Sequence, residues 1–148
     1  MTDHVRQKIR EQVASTVTGL VTTGSNVFQS RVYSLSDDVL PALLVYSVSE
    51  TSDVDSMGPI GSLTRNLSLS IEGYVKNVSD YDDVIDDVCK EVEIAMAGDK
   101  TLNGLAQNSY LAGTDINYNG EGEQPVGIVT MNYVIQYRTA TNAPETAL

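Results

Sequence analysis

One histidine and one cysteine are the only imidazole and thiol in this 148-residue chain. A nucleophilic triad needs an imidazole held beside a Ser or Cys. His4 falls in the first turn of a helical stretch, where an exposed or capping role suits it better than catalysis. Cys89 follows Val88 on the flank of a second helical stripe, an ordinary place for a small buried thiol. A lone cysteine forms no internal disulfide, and one Cys with one His cannot build a structural zinc site.

Carboxylates are the other candidates. Asp53 and Asp55 open a segment that has Gly58 at the sixth position and Ile60 at the eighth of a calcium loop. Met57 and Thr64 stand at the fifth and twelfth positions, so the bidentate acid is missing and a solvated acidic loop is expected. Asp80, Asp82, Asp83, Asp86 and Asp87 could pair for acid/base work or hold a cation. Their positions in the first two turns of a helix favour the positive end of its dipole, which is the structural reading. Gly98, Asp99, Lys100 and Thr101 lack the leading glycine of a phosphate loop. Gly120, Glu121 and Gly122 run into Pro125, with acids that would repel phosphate, so a turn is expected there. Metal, cofactor and catalytic residues are all expected to be none.

The elements that must position these residues follow from composition and periodicity. Twenty acids against nine Lys and Arg give a net charge of −11, which disfavours capture of nucleic acid by charge. No apolar run approaches the roughly 20 residues of a membrane-spanning helix, and the opening residues lack the apolar region of a secretory leader. Assembly in a cytoplasm is the expectation. Val5, Ile9, Val13, Val17 and Leu20 recur at helical spacing, predicting a helix from an Asp3 cap to about Val21. A short β-rich piece, Val27 to Tyr33, precedes the apolar run Ala42 to Ser49, expected as a central strand covered on both sides. Glu50 to Ser62 has no periodicity and reads as a long mobile loop.

From Leu63 to Lys76 the chain alternates strictly, with Leu63, Arg65, Leu67, Leu69, Ile71, Gly73 and Val75 in one phase. Pairing with Ala42 to Ser49 would make a hairpin. A second helix runs from Tyr81 to about Ala97, with Gly98 as its stop. A weaker strand around Ile116 to Asn119 and a strong one from Val126 to Thr139 follow. Residues 140–148 read as a flexible tail beyond a single domain of residues 1–139. The fold class is α+β: one mostly antiparallel sheet with two helices on one face, in the order α-β-β-β-α-β-β.

This order resembles the phage tail terminator family, also called tail completion or minor tail U-type proteins. The resemblance spans about His4 to Thr139. It rests on the first helix, the Val27 to Tyr33 strand, the entry Asp37, Asp38, Val39, Leu40, Pro41 into Ala42 to Tyr46, the long loop, the alternating strand, the second helix and the closing Met131 to Tyr137. It implies a virion structural protein and no reaction. Such a protein forms a hexameric ring on the tail tube, stops its polymerisation and offers its other side to a head connector, while DNA passes through the lumen. Other neck or head completion proteins share the layout, and a small ligand-binding or enzymatic α+β domain is the rival class.

Under the resemblance, Asp53, Val54, Asp55, Met57, Pro59 and Ile60 are the expected tube contacts, because apolar side chains on a loop lack a core to enter. Arg6, Lys8 and Arg10, with Gly120, Glu121, Gly122 and Glu123, are the expected contacts to a neighbouring subunit or the connector.

Overall fold

The computed structural model describes residues 3–29, 40–76, 81–119 and 126–148. Among these residues two helices, α1 (Val5–Thr16) and α2 (Tyr81–Ala97), accompany six strands: β1 (Val27–Phe28), β2 (Ala42–Ser56), β3 (Ser62–Lys76), β4 (Asn108–Asn119), β5 (Val126–Ala140) and β6 (Ala143–Ala147). All strands join one sheet in the order β1-β2-β3-β5-β4, with β6 paired to β5. Only the β1–β2 pair is parallel. The fold is the expected α+β arrangement.

Helix α1 buries Val5, Ile9 and Val13 completely, and Val17 just past its end is buried too, each contributing about 1.5–3 kcal/mol in transfer terms. Its cap is His4, one residue later than expected: the imidazole Nδ1 accepts from the Arg6 N–H at 3.0 Å. The helix also stops earlier, at Thr16. The Thr16 and Thr18 hydroxyls donate back to the carbonyls of Gln12 and Ala14, and Gly19 takes a positive φ of 88°.

Helix α2 adds Ile85, Val88, Cys89, Val92 and Met96 to the same core. Both helices cover one face of the sheet, formed by Leu43 and Val45 of β2, Leu67, Leu69 and Ile71 of β3, and Val129 to Tyr137 in alternation along β5. Gly73 lies under α2; a Cβ there would stand 3.0 Å from Val129 Cγ1 and 3.2 Å from Val88 Cγ1. Glycine lets helix and sheet approach closely at this point.

Three expectations give way. The run Ala42 to Tyr46 is buried on both faces, yet β3, not β2, holds the middle of the sheet. Residues 50–56 continue β2 and pair with β3 as far as Ser56 and Ser62, so the expected loop is a hairpin closed by residues 57–61. Beyond the half-buried Glu50, residues 51–56 are exposed on both faces, and a strand without a buried side shows no alternation to read. The C-terminal stretch forms β6, whose Ala147 packs against the core. Pairing at only two registered positions, beside Pro144, makes it a short edge strand with little apolar signal.

Candidate assembly surface

The β2–β3 hairpin is built from the tip downward by polar side chains. Asp55 is a bulged residue of β2. Its carboxylate accepts from Arg138 Nε at 2.6 Å, Thr64 Oγ1 at 2.7 Å and the Ser62 hydroxyl. The hydrogen bond from Arg138, then those from Ser62 and Thr64, hold the Asp55 carboxyl well below the usual carboxylate range, so it stays ionised. At Gly61 a Cβ would meet the Ser56 carbonyl oxygen at 2.6 Å, so the closing turn requires glycine. Beyond this clamp Val54, Met57 and Ile60 are 67%, 93% and 63% exposed. They border a shallow hollow of about 340 Å³ that Pro59, Thr141 and Asn142 also line.

At the base of the hairpin sits a second polar cluster. Glu50, with only 9% of its side chain exposed, accepts from Arg6 Nη1 at 2.8 Å, Arg65 Nη1 at 3.2 Å and the Tyr137 hydroxyl. Arg65 also donates to Thr139 Oγ1 at 3.0 Å and lies 5.9 Å from the Tyr137 ring centroid. Burial, then the hydrogen bond to Glu50, raises the Tyr137 phenol far above its ordinary value and keeps it a donor. The cluster ties α1, β2, β3 and β5 together where the hairpin leaves the core. Sequence reasoning missed it, although Arg65 in the apolar phase of its strand was the available signal.

The face of the sheet without helices is also polar. Tyr46 and Tyr74 both donate to Glu72, the latter at 2.9 Å, and the Ser70 hydroxyl donates to Asn132 Oδ1 at 2.9 Å. Burial and then Glu72 push the Tyr74 phenol up to about 12.

The expected site residues fall into separate places. Asp53, Val54, Met57, Pro59 and Ile60 gather at the hairpin end as one exposed group, whereas the Asp55 carboxylate turns into the clamp. Arg6, Lys8 and Arg10 find partners within the chain: Glu50, the Glu145 carbonyl at 2.8 Å and Gln29 Oε1 at 3.4 Å. Gly120, Glu121, Gly122 and Glu123 lie outside the described residues, as does Asp80. Asp82, Asp83, Asp86 and Asp87 are exposed on α2. Burial, then Glu93 and Asp86, pushes the Cys89 thiol up to about 11, so it rests protonated. His4 accepts a helix N–H, and burial followed by Arg6 lowers its pKa, so the ring is neutral where it caps.

The family model for phage minor tail protein U matches residues 4–137. The chain belongs to the minor tail protein U family. It is therefore a structural protein of the phage tail, and its virion location follows from that membership. The matched span takes in both helices, β1 to β4, the hairpin and most of β5. No curated protein matches the chain. Among solved structures, a chain in the virion of a native gene transfer agent particle is similar at 8% identity. The match covers 90% of this chain and 92% of that one, with a TM-score of 0.37.

Proposed function

We propose that this minor tail protein U family member is the tail terminator. In this reading six copies close a ring on the last tier of the tail tube, stop its growth and present the opposite side to the head connector. Family membership over residues 4–137 is the observation that carries the reading. The hairpin supplies its mechanism: Val54, Met57, Pro59 and Ile60, with Asp53 beside them, project an apolar contact to be buried on the tube. Asp55 orders that tip instead of touching the tube.

The two ends of the sheet suit the two tasks. The tip lies where Ser62 pairs with Ala140, whereas Asn119 and Val126, which bound Gly120 to Pro125, lie at the other end of β5 beside Lys76. The Gly120, Glu121, Gly122 and Glu123 segment is the connector contact in this reading. DNA traverses the ring without being held, because sixfold repetition of a net charge of −11 repels phosphate.

Met57→Asp combined with Ile60→Asp tests the assignment. Circular dichroism of the doubly substituted protein should match the native protein, while tails assembled with it grow to irregular lengths in negative-stain images. Tails of uniform length that join heads would overturn the hairpin tip as the tube contact. Uniform tails that fail to join heads would indicate a neck protein instead.

A further inference from the structure

The sheet has two long margins without a partner among the described residues. β1 covers β2 at Leu43 and Leu44, so among the described residues no strand flanks that side of β2 from Ser47 to Ser56, nor the outer side of β4 from Asn108 to Asn119. Neither stretch contains Lys, Arg or Pro, the residues that usually guard an edge against pairing, and β4 carries a single charge, Asp115. Bulges at Val48 and Asp55 of β2 and at Ala112 of β4 leave Ser49 to Val54 and Gly113 to Asn119 as the uninterrupted runs.

Strand direction decides what fits. From β2 through β3 and β5 to β4 there are three antiparallel steps, so β4 runs opposite to β2. A second copy placed head to tail, in the same orientation, offers its β2 antiparallel to β4 of the first. Pairing β4 with β4 in a two-fold dimer would satisfy one margin and leave the other unpaired, whereas head-to-tail pairing satisfies both. We propose that adjacent subunits join by sheet extension, with the Gly113–Asn119 edge of one copy paired antiparallel to the Ser49–Val54 edge of the next. This inference rests on the ring reading and names the contact that closes the ring.

Register assigns Thr51, Gly113, Asp115 and Asn117 to the helix-free face, and Ser52 to the opposite face. Directly opposed residues on one face of such a pair have Cβ atoms about 4.5–5.5 Å apart, within disulfide reach, and residues on opposite faces do not. Thr51→Cys is therefore combined in turn with Gly113→Cys, Asp115→Cys or Asn117→Cys, and each variant is oxidised after loading on purified tail tubes. A ladder of covalent multimers is expected from at least one of these combinations, and only monomer from the same set built on Ser52→Cys. Native protein, with Cys89 alone, controls for background.

Caps visible on the tubes with only monomer in every same-face variant would overturn the sheet-extension contact and leave the ring reading standing. Covalent dimers from Asp115→Cys alone would overturn it in favour of β4–β4 pairing. Bare tubes after addition of the native protein would remove the ring reading, and this contact with it.

Discussion

Arg65 shows what a single misplaced charge can reveal. In a strand whose other inward residues are Leu67, Leu69, Ile71 and Val75, a guanidinium is tolerated only because Glu50, Thr139 and the Tyr137 ring receive it. Its side chain is 11% exposed, against 40% for Arg6 on the other side of the same carboxylate. Removing one member of a buried pair costs about 3–5 kcal/mol, whereas an exposed partner is worth about 1 kcal/mol or less. Arg65→Met should therefore lower the urea midpoint far more than Arg6→Met; equal losses would show that burial does not govern the cluster. The alternation already put Arg65 on the apolar side. Glu50 was hidden, because the polar residues following it erase the strand signal and make position 50 read as the start of a loop.

At the scale of elements, legibility tracked burial. Both helices and the β3 strand were readable because each has one apolar side, and α2 ends at Ala97 as its stripe and Gly98 indicate. The distal hairpin and β6 were not, since backbone pairing and hydroxyl or carboxylate contacts hold them without an apolar phase. The Asp55 clamp makes the hairpin respond to acid. The unfolded carboxyl titrates near 3.8 and the folded one below it, so between the two the unfolded chain binds more protons. The clamp's contribution is complete above 3.8 and is lost as pH falls through the folded value. The Asp55 carboxyl carbon signal should remain that of an ionised group at about pH 3, and Arg138→Gln should return its titration toward the ordinary range. An ordinary titration in the native protein would remove the clamp from the account.

Across the whole molecule, charge sets the conditions of assembly. Each copy carries a net −11, so in the terminator reading copies repel at long range, and the proposed edge and tip contacts act only at short range. Salt shortens the repulsion to a Debye length of about 10 Å at 0.1 M and leaves the contacts largely intact. Capping of tubes should thus rise as ionic strength increases from about 0.01 M to 0.15 M, measured as the fraction of tubes bearing a cap. A fall over that range would mean that attraction between opposite charges drives docking.

The hairpin tip also has an evolutionary consequence. Met57 and Ile60 lie outside the core formed by the helices and the sheet, with Gly61 and the Asp55 clamp fixing the turn behind them. In the terminator reading, selection can therefore rewrite the contact chemistry of these positions without disturbing how the body folds, and a lineage can follow a drifting tube partner by altering a handful of codons.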